Sequence, residues 1–162
     1  GEVIGYTQAP SILGPITIAA TLRGIASISL GGDAITNLES EFPKAELIHA
    51  PAAFTGWVNA VITLIEEPST AISLPLDIRG TAFQQRVWRA LRDIPPGTTA
   101  TYKEIASLVG SPNAHRAVGS ACGANRLAVA IPCHRAVRAD GGLGGYRWGL
   151  DRKKTLLSRE KK

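Results

Sequence analysis

The apolar residues of this chain change their period once, and that change limits the folds open to it. Up to residue 31 they recur as in strands, over Glu2 to Thr7, Pro15 to Thr21 and Gly24 to Leu30, with Gly and Pro between the runs. The spacing predicts a three-stranded antiparallel meander. Asp33 to Glu41 and Phe54 to Glu66 then carry apolar residues at helical spacing, the second with Trp57, Val61 and Ile65. Beyond the extended connection Leu74 to Gly80 the pattern is almost wholly helical. An α/β unit over residues 1–78 followed by a mostly α unit over 79–162 is therefore expected.

Charge divides at the same place. Residues 1–78 hold two Lys/Arg against eight acids, net −6, whereas residues 79–162 hold sixteen against five, net +11. A basic half of this size suits a polyanion such as nucleic acid, or is a solvated basic face. No apolar run approaches the roughly 20 residues of a membrane span and no signal-peptide layout opens the chain, so no membrane partner and a cytoplasmic location are expected. Two cysteines, Cys122 and Cys133, make neither a disulfide framework nor a metal-ligand set. The chain of 162 residues starts at Gly1 and lacks Met, which suggests either a processed product or a piece of a longer polypeptide.

In the second half, Thr81-x-x-Gln84 is a capping box opening a helix with Phe83, Val87, Trp88 and Leu91 on one face. Thr101-x-x-Glu104 opens a short helix, Tyr102 to Val109, stopped by Gly110. Ser111-Pro112 are expected to start a third helix running to about Ala124, making a helix-turn-helix with a three-residue turn. Such a pair is either a packing unit or a nucleic-acid reader. The third helix begins His115-Arg116 and continues with Gly119, Ser120, Ala121 and Gly123, small residues that permit close approach to a partner backbone.

Cys133 lies between Pro132 and His134, after the strand-like apolar run Leu127 to Ile131, so a turn presents the thiol. Thiolate is the nucleophilic form of cysteine and a neighbouring His promotes it. Taken alone, the pair fits an inert core cysteine as well as a reactive one.

Pro132-Cys133-His134-Arg135, preceded by Asn125 and followed by Gly144-x-Tyr146, resembles the signature of the O6-alkylguanine-DNA alkyltransferases. The resemblance covers most of residues 72–162, including Pro75 to Gln85 and Gly144 to Gly149, and is similar to the Ada-type bacterial version; over residues 1–71 it is looser. It implies a ribonuclease-H-like N-terminal subdomain and a winged-helix-like second one. It also implies irreversible, single-turnover transfer of a methyl or alkyl group from guanine O6, with O4 of thymine a further possible donor, to Cys133. No metal or other cofactor is required.

The resemblance further implies that His134, oriented by Glu160, takes the thiol proton through a water while Asn125 braces the turn. Tyr102 and Arg116 would act on the DNA, rotating the damaged nucleotide out and filling its place. The third helix would enter the minor groove with Ala117 and Gly119 against the backbone. The flipped base would sit between Tyr102, Pro132 and the loop Tyr146-Arg147-Trp148, held by carbonyls of Cys133 and Ala136. Trp148 is expected to bar bulky O6 groups such as benzyl. Without the resemblance, Tyr102 reads equally as a core aromatic, and Arg116 and Glu160 as surface charges. The partner expected is duplex DNA carrying O6-alkylguanine, bound by a monomer or by one part of a two-domain regulatory protein. A lesion binder without transfer and a cysteine hydrolase are the competing readings; Cys133 opposes the first and the absence of an oxyanion motif the second.

Overall fold

The computed structural model describes residues 2–161. Strands β1 (Val3–Ala9), β2 (Ile16–Thr21) and β3 (Gly24–Leu30) form the expected antiparallel meander. A fourth strand, β4 (Glu46–His49), adds to β1 in parallel, giving a mixed sheet of order β3-β2-β1-β4. With four residues it is too short to show an alternating pattern, which is why the sequence reading stopped at three strands. Helix α1 (Ala34–Glu41) lies between β3 and β4, and α2 (Thr55–Glu66) follows a 3-10 turn at Pro51–Phe54.

Strands β2 and β3 are buried almost throughout, so both faces of the sheet are covered. On one face Ile4, Ala19 and Ala26 pack on Leu38 and Phe42. On the other, Ile16, Ile18, Ile25 and Ile28 meet Val61 and Ile65 of α2 together with Leu91, Ile105, Leu127, Ile131 and Leu156 from the second half. One apolar core thus runs through both parts of the chain.

Backbone pairing joins the halves as well. Ile25 donates to Pro75 O at 2.8 Å and accepts from Asp77 N at 2.8 Å, while Ile28 donates to Arg126 O at 2.8 Å and accepts from Ala128 N at 3.0 Å. The edge of β3 is therefore covered by two segments, Pro75–Asp77 of the connection and Arg126–Ala128 of the second half. Gly24 permits the first approach, since a Cβ there would lie 2.6 Å from Pro75 O. The apolar run Leu127 to Ile131, expected as a strand, is instead a bridge onto β3 followed by a tight turn.

The second half holds α3 (Ala82–Arg92), α4 (Tyr102–Leu108), α5 (His115–Ala124) and α6 (Leu150–Glu160). Both capping boxes are present, with Thr81 and Gln84 opening α3 and Thr101 and Glu104 opening α4. Helix α5 starts at His115 behind Ala114, without a side-chain cap, so Ser111-Pro112 belong to the connection and not to the helix. That connection is longer than the expected three-residue turn. Trp88 Nε1 donates to Ala121 O at 2.8 Å and locks α3 to α5. Two short parallel strands, β5 (Ala100–Thr101) and β6 (Ala136–Val137), pair Ala100 with Ala136. They set the start of α4 beside the turn that carries Cys133. Among the described residues no helix is long and apolar enough to cross a membrane.

Candidate active site

Helix α5 ends at Ala124, and the following Asn125 is fully buried. Its Oδ1 accepts from Leu127 N at 2.9 Å, and its Nδ2 donates to Ile131 O at 3.0 Å and to Cys133 Sγ at 3.3 Å. One amide thus spans the turn and reaches the thiol. Within that turn Val129 has φ +60°, a left-handed conformation that a β-branched residue adopts only under constraint from its surroundings. A 3-10 turn over Cys133–Arg135 follows, with all three side chains buried.

His134 Nε2 lies 2.7 Å from Glu160 Oε2, so Glu160 orients the imidazole, and the ring Nδ1 has no protein partner. Arg135, the last residue of the signature core, donates to both oxygens of Glu160 at 3.0 and 2.8 Å and to Ile94 O at 2.6 Å. Burial raises the Glu160 pKa, but the hydrogen bonds from His134 and Arg135 outweigh it and hold the carboxyl down at about 2. Burial lowers the pKa of His134, against the hydrogen bond to Glu160, so the imidazole is neutral and available as a base. Burial pushes the Cys133 thiol up; the Asn125 hydrogen bond and the charge of Lys153 oppose this. Cys133 thus rests as a thiol, followed in the chain by a neutral imidazole.

Lys153, which no sequence motif marks, is also built into the surroundings of Cys133. It is completely buried, and its Nζ donates to Ala136 O at 2.7 Å, Leu143 O at 2.5 Å and Gly145 O at 3.0 Å. It ties the glycine-rich loop to β6 and brings a cation near Cys133. In α6 it lies three residues before Leu156 and seven before Glu160, all buried and on one helix face. That spacing was a legible signal, masked by the neighbouring Lys154. Ala136 O, expected to hold a base, here accepts from Lys153.

Cys133 opens into a cavity of about 1020 Å³ lined also by Tyr102, Arg116, Gly119, Cys122, Arg138, Tyr146 and Arg147. Tyr102, half-buried, has its hydroxyl pKa pushed up to about 12 by burial. Gly144, at φ +73°, abuts it, since a Cβ there would lie 2.6 Å from Tyr102 Oη. Arg116 and Ala117 are exposed on α5. Cys122 and His115 line the cavity as well. Arg147 reaches across the halves, donating to Asn125 O and to Glu41 Oε1, each at 3.1 Å.

Two expected wall residues lie elsewhere. Pro132 is buried behind Cys133, off the cavity. Trp148 packs its ring into the core, 5.3 Å from Tyr146, and borders a separate cleft with Ile12 and Leu13. The expected exclusion of bulky O6 groups by Trp148 therefore has no basis in the cavity wall. Among the described residues no cluster of His, Cys, Asp and Glu could hold a metal ion.

Residues 82–162 match the family model described as 6-O-methylguanine DNA methyltransferase, DNA binding domain. The chain is 50% identical over 160 residues, 97% of its own length, to the bifunctional transcriptional activator/DNA repair enzyme Ada of Escherichia coli, of which it spans 45%. It is 40% identical over 164 residues to the methylated-DNA–protein-cysteine methyltransferase of Mycobacterium bovis, covering 98% of this chain and 93% of that one. The crystal structure of Mycobacterium tuberculosis OGT in complex with DNA superposes with a TM-score of 0.83 at 37% identity, over 97% of this chain and 93% of the other. With a matching fold, a matched family model and relatives aligned almost end to end, this chain belongs to the methylated-DNA–protein-cysteine methyltransferase family.

Proposed function

We propose that the protein repairs DNA by direct reversal, moving a methyl or larger alkyl group from guanine O6 to Cys133 Sγ. The observation that carries this reading is the placement of Cys133. Its thiol is held by Asn125, backed by the His134–Glu160 pair, and faces the cavity bordered by α5. The names of the mycobacterial relatives and the DNA-bound state of the M. tuberculosis OGT support it.

The thiol proton passes through a water to His134, and the thiolate attacks the alkyl carbon. A C–S bond forms as the C–O6 bond breaks, and the electron pair stays with guanine. A thioether offers no ready leaving group, so each molecule reacts once. Neither a metal nor another cofactor enters these steps. A buried thiol cannot reach a base inside the duplex, so the nucleotide rotates out. Tyr102 crowds its phosphate and Arg116 fills the gap, while Ala117 and Gly119 let α5 lie close in the minor groove. Tyr146 and Arg147 border the base pocket. The partner is duplex DNA bound by a monomer in the cytoplasm, O4-alkylthymine is a secondary substrate, and the subdomains divide at residue 79.

Incubation with a duplex containing O6-methylguanine, followed by mass analysis of the tryptic peptide from Leu127 to Arg135, tests the reading. A gain of one methyl group per protein is expected. Cys133→Ala should lose transfer and keep DNA binding, whereas Arg116→Ala should mainly weaken lesion binding. Continued demethylation by Cys133→Ala overturns the assignment.

A further inference from the structure

Two buried polar side-chain atoms beside Cys133, His134 Nδ1 and Tyr146 Oη, have no hydrogen-bond partner in the protein. The Tyr146 ring stands edge-on to the His134 imidazole, with centroids 6.3 Å apart and planes at 82°. It is wedged against Trp148 on its other side and borders the cavity that holds Cys133. A phenylalanine would fill the same space without leaving a buried hydroxyl unpaired, an arrangement that disfavours folding. Buried water settles where two to four polar atoms converge. Tyr146 shares the cavity of Cys133, and the unpartnered His134 Nδ1 and Tyr146 Oη with Cys133 Sγ are the three atoms that such a water would join.

We propose that Tyr146 is a positioning residue of the proton relay, its hydroxyl donating to the oxygen of the single water that links Cys133 Sγ to His134 Nδ1. The inference rests on the reading of Cys133 as acceptor with His134 as its base. In the step, the S–H bond breaks and an N–H bond forms at Nδ1. The water takes one proton and releases another, and so is unchanged. Ionised Glu160 keeps a proton on Nε2, which leaves Nδ1 as the accepting nitrogen. Without the tyrosine hydroxyl, the water is held by the thiol and the imidazole alone and spends less time in line.

The test compares wild type with Tyr146→Phe in two assays. Labelling of Cys133 by iodoacetamide without DNA, followed from about pH 6 to about pH 9 by peptide mass, reads the relay independently of any base. Methyl transfer from an O6-methylguanine duplex reads it in the proposed reaction. The variant should label roughly tenfold more slowly at neutral pH, the equivalent of one hydrogen bond, and its half-maximal labelling should move to higher pH. Methyl transfer should slow by a similar factor.

Labelling at the wild-type rate and midpoint overturns the proposal even if methyl transfer proceeds normally. Slowed labelling with no methyl transfer by either protein supports the relay and overturns the guanine reading instead. Should Tyr146→Phe not fold, a high-resolution crystal structure of the wild type decides. Density for a water within hydrogen-bond distance of all three atoms supports the proposal; its absence overturns it.

Discussion

Glu160 is the residue on which the acid side of the site turns. Its folded pKa, about 2, lies below the ordinary 4.5, and that of His134 lies below 6.5. In both cases the unfolded chain binds more protons than the folded one over the interval, so stability is present at neutral pH and falls on acidification. The loss should begin below about pH 6.5 as His134 must charge and continue below about pH 4.5 as Glu160 must be protonated, as denaturant titrations across that range would show. Glu160→Gln should cost about 3 kcal/mol, because it leaves the Arg135 guanidinium buried without its counter-charge, and should flatten the lower part of the pH curve. Lys153→Met should behave differently. Relief from burying an ammonium offsets the lost hydrogen bonds, so stability should change by less than about 2 kcal/mol. Hydrogen exchange at Leu143–Gly145 should nevertheless rise and methyl transfer slow by about tenfold, or about 1.4 kcal/mol in the barrier. Cys133, His134 and Asn125 stand out through the motif around the thiol, whereas Glu160 enters only through the family resemblance and by itself reads as a surface charge. The buried contacts of Arg135 and Lys153 carry no such mark, since burial of a cation depends on which carboxylates and carbonyls the fold brings around it.

Elements with local signals were legible and those without were not. Thr101-x-x-Glu104 marks the start of α4 because both residues satisfy backbone donors within the same turn. Thr101→Ala should cost about 1 kcal/mol, measurable by chemical denaturation, and loosen the turn that places Tyr102. Helix α5, by contrast, begins behind Ala114 without a side-chain cap, so the inviting Ser111-Pro112 pair misleads by several residues. The Leu127 to Ile131 run reads as a strand from hydrophobicity alone. It turns instead, because Asn125 captures the backbone at Leu127 and Ile131 and Val129 is forced to positive φ. The hydrogen bonds of a single side chain leave no periodic trace.

Across the whole molecule, the charge division visible in the sequence matches a division of labour, with Arg116 and Arg138 on the cavity rim and most acids on the other half. Duplex binding should therefore weaken steeply with salt, log affinity falling by about 0.9 per phosphate contact for each unit of log salt concentration. The change of period along the sequence marks an α/β part followed by a helical part, yet it hides that they share one core and are pinned by Glu41 to Arg147. Heat or denaturant should accordingly unfold both parts in one transition, coincident by fluorescence and circular dichroism. The two segments laid along β3 have a practical consequence. A cut between Glu67 and Thr70 would leave the sheet with a bare edge in one fragment and its only cover in the other. Neither piece should fold by itself, and activity should return on mixing, with a concentration dependence that turns folding into a binding measurement.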